Sequence, residues 1–131
     1  MGVVPGIGSG PTQITFLSAD PAPGSALSGC GRDIAGCRGR LRMTFRLLSP
    51  SGGPVLRMIA FLHGPNKIAC LTATTAPFDL PAGLPVTREL VFDPSDACAT
   101  PVDMVTMDAV VSGPVQVEAR QEWGVRFTFA P

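Results

Sequence analysis

Apolar and polar residues alternate along most of this chain, in short runs that end at glycine or proline. In the clearest run, residues 38–48, every second side chain is apolar, so that these side chains share one face of an extended strand. This apolar set comprises Leu41, Met43, Phe45 and Leu47. Short alternating runs separated by turn residues predict an all-β, antiparallel sandwich.

Seven or eight strands are predicted. The runs span residues 13–19, 38–48, 55–63, 67–75, 86–92, 102–111 and 115–129. The third run is apolar at nearly every position except Arg57, which predicts a central strand covered on both faces. The last run is too long for an average strand, so we expect a bulge or hairpin near Trp123.

Composition limits the domain organisation. The chain has 131 residues, of which 45% are hydrophobic and 15% charged, and it contains 15 glycines and 14 prolines. This length predicts one domain with one core, over residues 12–131, and the frequent breaks leave little room for long helices. Residues 1–11 are rich in glycine and proline and are predicted to form a flexible tether.

The segment after the first predicted strand carries a family resemblance. Residues 20–27 contain the turn Pro21-Ala22-Pro23-Gly24, and a turn of this Pro-x-x-Gly type often follows the first strand of bacterial immunoglobulin-like domains, which the chain resembles at the superfamily level. The resemblance implies an immunoglobulin-like sandwich. The chain departs from antibody domains because it has no tyrosine and because Trp123 follows all four cysteines, so no functional residue is carried over.

Four cysteines predict a disulfide framework. Cys30 and Cys37 lie in one loop, whereas Cys70 and Cys98 lie 28 positions apart. Pairing 30–37 and 70–98 is the simplest of three connectivities. Disulfides favour an oxidising compartment, and we therefore expect a periplasmic or extracellular protein, in a mature form without its leader, since the N-terminus has no signal-peptide pattern.

Metal and acid–base chemistry have weak support. Thiolates with His63, the single histidine, could form a metal site, but no Cys-x-x-Cys pair is present. His63 ends an apolar run, where a histidine that bonds a backbone group is the simpler interpretation. Met104 and Met107 should point to opposite faces of a strand unless a bulge intervenes. No metal, cofactor or catalytic residue is therefore predicted.

An arginine stripe is the strongest candidate binding surface. Its members lie on the polar face of the run 38–48, with one further arginine on the next run: Arg38, Arg40, Arg42, Arg46 and Arg57. Arginine matches sulfate and carboxylate groups bidentately, so the stripe could bind an acidic glycan or an acidic protein. The alternative is a ladder of cross-strand ion pairs with acids such as Glu89 or Asp108.

The overall charge excludes other partner classes. The formal net charge is zero, which provides no global field for nucleic acid or an anionic membrane. Residues 1–66 carry a balance of +4 and residues 67–131 a balance of −4. No apolar stretch reaches the length of a transmembrane segment.

The sequence thus predicts a non-enzymatic binding or structural module of a secreted or cell-envelope bacterial protein. The alternative function is a periplasmic carrier of a small ligand or metal. An enzyme ranks third, because the chain offers few acid–base groups in any recognisable catalytic motif. The oligomeric state cannot be read from these patterns.

Overall fold

The computed structural model describes residues 3–29, 34–65, 67–95, 98, 103–114 and 117–129. In this part of the chain, one short 3₁₀ turn, Ile34–Cys37, accompanies eleven strands. The strands are β1 (Val4–Ser9), β2 (Gln13–Asp20), β3 (Ala26–Leu27), β4 (Leu41–Leu48), β5 (Gly53–Val55), β6 (Arg57–His63), β7 (Ala69–Thr74), β8 (Phe78–Leu80), β9 (Val86–Pro94), β10 (Met104–Ser112) and β11 (Val117–Phe129).

The strands form an antiparallel sheet that curls into two packed layers. The strand order is β1-β11-β10-β6-β7-β9-β4-β2, with β3 added in parallel to β11 and a separate β5-β8 pair. Only two residue pairs, at Leu71 and Thr72, join β7 to β9, so the sheet bends there. The first layer is β1-β11-β10-β6-β7 and the second is β9-β4-β2. The predicted all-β antiparallel sandwich is confirmed.

Alternation along β4 determines which side chains enter the core. Leu41, Met43, Phe45 and Leu47 are buried, and the residues between them face outward. The Phe45 ring lies 5.6 Å from the ring of Trp123 in the other layer and 5.9 Å from that of Phe16 in its own layer, measured between centroids. This chain of aromatic rings holds the two layers together.

Strand β6 is an interior strand of the first layer, between β10 and β7, in agreement with its apolar sequence. Its buried residues alternate with partly exposed ones. Because both long edges of β6 are paired, its backbone groups are hydrogen-bonded within the sheet. Its outward side chains therefore sit on a well-anchored strand.

A bulge explains the length of β11 and corrects one expectation. Met104 pairs with Phe127, whereas Thr106 pairs with Gly124, so β11 carries one more residue than β10 in this interval. The bulge lies where the sequence predicted it. It also turns Met104 and Met107 to the same side, and both are buried in the core rather than facing opposite ways.

The N-terminal segment differs from the predicted tether. Its residues Val4–Ser9 form the edge strand β1, which pairs antiparallel with β11. All six residues of β1 are exposed, so backbone pairing rather than side-chain burial places this strand.

The Cys70–Cys98 disulfide is present, with a Cα–Cα distance of 4.8 Å. It joins β7 to the segment that follows β9, where the Ser95 amide donates to the Cys70 carbonyl at 3.0 Å. Cys37 is also buried and disulfide-bonded. The predicted Cys30–Cys37 pair includes Cys30, which lies outside the described residues.

Gly10 forms the corner where the chain leaves the first layer for the second. Its φ is +97°, and a Cβ there would overlap the backbone of Glu118 and Ala119. We expect Gly10→Ala to lower the free energy of unfolding by about 2–3 kcal/mol. Gly39→Ala is the matched control, because Gly39 has a φ of +70° with open space around it. Gly39→Ala should lower the free energy of unfolding by about 1 kcal/mol, which measures the backbone strain alone, without the steric overlap. Equal losses in urea denaturation would contradict the steric argument.

Candidate functional site

The outer surface of the second layer carries the predicted arginine stripe. We call it the arginine face and define it by the outward residues of β4 with their neighbours on β2 and β9. Arg42 lies between Asp20 and Val91, and Arg46 lies between Thr15 and Thr87. The two arginines are four residues apart on one strand, so their Cα atoms are about 13 Å apart.

Arg42 has a carboxylate neighbour. Its guanidinium Nη1 lies 3.6 Å from Glu89 Oε1, and both side chains are more than half exposed. An exposed pair of this kind contributes between zero and about 1 kcal/mol. The Arg42 guanidinium therefore remains available to a stronger anion.

Arg46 is surrounded by hydroxyl groups. Thr15 and Thr87 flank it on the neighbouring strands. Among the described residues, no carboxylate oxygen lies within 4.0 Å of its guanidinium. Arg46 is thus an exposed cation with hydrogen-bonding neighbours and, within the described part of the chain, no carboxylate partner.

Arg38 and Arg40 lie just before β4 rather than on it. Arg38 Nη1 is 3.5 Å from Asp93 Oδ2. Arg40 donates from Nε to the Gly36 carbonyl at 3.3 Å. These two arginines extend one end of the arginine face but are already engaged in local contacts.

Arg57 does not join the arginine face. It begins β6 in the first layer, where it pairs with Ser112 of β10 and points away from the core. Because the two layers pack through their inner faces, Arg57 lies on the opposite outer surface from Arg42. The expected extension of the stripe through Arg57 is not seen.

The outer surface of the first layer brings a histidine and a carboxylate together. His63 Nδ1 lies 3.6 Å from Asp108 Oδ2, and the His63 ring stacks on Phe61 with centroids 6.0 Å apart. Among the described residues, His63 contacts these two side chains, and the expected hydrogen bond to a backbone group is not seen. A separation of 3.6 Å is longer than a hydrogen bond, so His63 and Asp108 are close neighbours without a direct hydrogen bond.

A cavity of about 270 Å³ adjoins this pair, between β1, β10 and β11. It is lined by Ile7, Ser9, Asp108, Arg120 and Glu122. Asp108 and Glu122 pair directly across the strands. The buried oxygen Oδ1 of Asp108 has no hydrogen-bond partner among the described residues. Sequence reasoning missed this juxtaposition, because it depends on the register of β10 against β11.

The acidic residues at and after the end of β9 are Asp93, Asp96 and Asp103. Asp93 contacts Arg38, and Asp103 contacts Arg126 at 3.7 Å. Asp96 lies outside the described residues. Within the described residues, no three histidine, cysteine or acidic side chains are grouped closely enough to hold a metal ion.

Comparison with known proteins shows the fold of this chain but does not assign the chain to a family. No protein-family model and no curated protein matches the chain. Among solved structures, the C-terminal domain of wzt is similar with a TM-score of 0.61 and 9% identity, over 95% of this chain and 77% of that one. At this identity the likeness shows a shared all-β architecture.

Two other structures are more distant. The E. coli chaperone DraB has a TM-score of 0.47 and 8% identity, over 91% of this chain and 55% of that one. The ligand binding region of serine-glutamate repeat protein A of Enterococcus faecium has a TM-score of 0.39 and 10% identity, over 91% and 98%. Neither likeness is strong enough to inform function. In the described part of the chain, no helix has the length and hydropathy to cross a bilayer.

Proposed function

We propose that the protein is a non-enzymatic binding module that takes a sulfated or carboxylated glycan on its arginine face. The observation that carries the proposal is the position of Arg46, which is exposed between two threonines and has no carboxylate partner among the described residues. A sulfate or carboxylate can accept two parallel hydrogen bonds from such a guanidinium. The threonine hydroxyls can donate to its remaining oxygens.

Arg42 supplies the second contact. Its pair with Glu89 is exposed, so an arriving anion can exchange with Glu89 at little cost. Two guanidinium groups on one rigid strand favour a polymer that carries repeated anionic groups over a single small anion, because the second contact forms at high effective concentration.

We further propose that the sandwich is immunoglobulin-like and that the module works in the periplasm or outside the cell. Two packed antiparallel layers support the first point. The Cys70–Cys98 disulfide supports the second, because such bonds persist in oxidising compartments. This setting fits a module of a secreted or cell-envelope protein.

Retention on immobilised heparin tests the proposed glycan site. We expect Arg42→Ala combined with Arg46→Ala to weaken binding at least about tenfold and to lower the salt concentration needed for elution, since two charge-assisted contacts are lost. The matched control is Arg57→Ala combined with Arg126→Ala, which removes the same formal charge from the first layer.

The control distinguishes a site from general charge. Wild-type elution in the control and early elution in the Arg42/Arg46 variant would support the arginine face. Equal shifts in both variants would mean that heparin responds to net charge alone, and no wild-type retention would reject a sulfated glycan. Binding of an acidic protein but not of heparin would replace the glycan with a protein partner.

A further inference from the structure

A groove runs along the open edge of the sandwich, between β1 and β2. Strands β1 and β2 are consecutive in the chain and stand at the two ends of the strand order. They diverge from the corner at Gly10. Between them lie two cavities of about 460 and 210 Å³, which share Ile14, Thr15 and Gln121 as lining residues. The shared lining makes them one continuous groove.

One end of the groove is apolar. The smaller cavity is lined by Val3, Pro5, Ile14, Phe16 and Trp123. Trp123 and Ile14 belong to the core, and Val3 and Phe16 are partly buried against it. An apolar side chain seated here would extend the contact surface of the core and remove partly exposed aromatic surface from water.

The wall formed by β2 offers free backbone groups. In the described structure, β2 pairs with β4 along one edge and with no strand along the other. In an antiparallel strand, alternate residues direct their amide and carbonyl groups toward each edge. The free edge of β2 therefore presents donors and acceptors in the spacing that an added strand requires.

The opposite wall is β1, which is held by its pairing with β11 but covers little of the groove. Its register against β11 breaks between Pro5 and Gly8. In that interval the Gln121 amide nitrogen donates to the Gly6 carbonyl at 3.1 Å and to the Glu122 carbonyl at 2.9 Å. A Cβ at Gly8 would collide with the Gln121 side chain. Because Gly8 has no side chain, the Gln121 side chain can occupy the space beside it at the break in register. Strand β1 therefore takes up little of the groove.

The other end of the groove is polar and carries a cation. The larger cavity is lined by Ser9, Thr12, Gln13, Arg120 and Gln121 among others. Arg120 is exposed and is the charged residue of this lining, and it also borders the 270 Å³ cavity that contains Asp108 and Glu122. Among the described residues, no carboxylate oxygen lies within 4.0 Å of its guanidinium. An acidic group is the complementary ligand for this end.

We propose that the groove binds an extended peptide segment as an added strand on β2, with an apolar side chain in the smaller cavity and an acidic side chain near Arg120. Side chains on one face of a strand are two residues apart, at about 6.7 Å. The proposed peptide therefore carries its apolar and acidic residues one position apart, the spacing that places both side chains on one face of the added strand. Thr15 borders both the groove and the arginine face, but the arginines that test the two sites differ, with Arg120 for the groove and Arg42 with Arg46 for the arginine face.

An array of capped hexapeptides tests this proposal. Threonine occupies every position except the second and the fourth, which carry all pairings of the twenty amino acids. We expect binding to concentrate on peptides that pair an apolar residue with aspartate or glutamate. In solution, the best peptide should shift the fluorescence of Trp123, the one tryptophan in the chain, and Arg120→Gln should weaken its binding about tenfold.

Three controls make the result decisive. Arg126→Gln removes a cation from the same strand outside the groove and should leave peptide affinity unchanged. Replacing the acidic residue of the peptide with lysine should abolish binding, and so should methylating the backbone amides of both the third and the fourth residues, because one of these two amides faces β2 in an antiparallel pair. An array without signal, a pattern indifferent to the acidic position, or an unchanged Arg120→Gln variant would overturn the proposal. Sedimentation that shows a dimer dissociated by Arg120→Gln would assign the groove to a second copy instead.

Discussion

Replacing Phe45 with alanine is expected to lower the free energy of unfolding by about 4 kcal/mol. Phe45 is fully buried at the centre of β4, and its ring contacts Phe16 in its own layer and Trp123 in the other. Its removal deletes apolar contact on both sides and leaves a cavity between the layers. A loss of this size is a large share of the roughly 5–15 kcal/mol that a domain has in total.

Two further variants separate packing from other effects. Phe45→Leu keeps most of the volume and should cost less than half as much. Thr44→Ala changes the neighbouring residue, which faces outward on the same strand, and should stay within about 0.5 kcal/mol of wild type. Urea denaturation followed by Trp123 fluorescence measures all three. If Phe45→Ala cost no more than Thr44→Ala, the ring would not be the contact that joins the layers.

The agreement between sequence and structure is best where burial enforces a period of two. In β4, each slip by one residue would expose Leu41 and bury Arg42, so the pattern determines the face. The same reasoning placed Trp123 in the core, where the structure finds it. The all-β class followed from such alternation, whereas the interior position of β6 followed from its nearly continuous apolar run.

Strand β1 is an element that the alternation of apolar and polar residues does not predict. Its residues are all exposed, so no burial pattern marks it, and glycine and proline are depleted in strands. Pairing with the edge of β11 supplies backbone hydrogen bonds that do not depend on side-chain type. Met104 shows a second limit, because a single extra residue on β11 reverses the side to which it points.

In the candidate sites, too, some contacts could be predicted from the sequence and others could not. Neighbours on one strand, such as Arg42 and Arg46, are readable from spacing. The partner of Arg42, the layer of Arg57 and the meeting of Asp108 with Glu122 depend on strand order and register. Those are set by long-range pairing, which local periodicity does not encode.

Removing the Cys70–Cys98 disulfide is expected to lower the free energy of unfolding by about 3.6 kcal/mol. The bond closes a loop with a sequence separation of 28, and the chain-entropy relation gives this value for such a loop. Both cysteines are buried, so the test variant is Cys70→Ala with Cys98→Ala, which avoids burying hydroxyl groups. The melting temperature should fall by roughly 10–15 °C.

The reduced wild-type protein is the matched control for this variant. It loses the same cross-link without any change in side-chain volume at Cys70 and Cys98, although reduction also opens the disulfide of Cys37. Mass spectrometry of denatured, non-reduced protein from its native source should find no free thiol, as the proposed oxidising compartment requires. Free thiols in that sample would remove the argument for export, and a double variant as stable as the oxidised protein would show that the 28-residue loop is already ordered when the chain is unfolded.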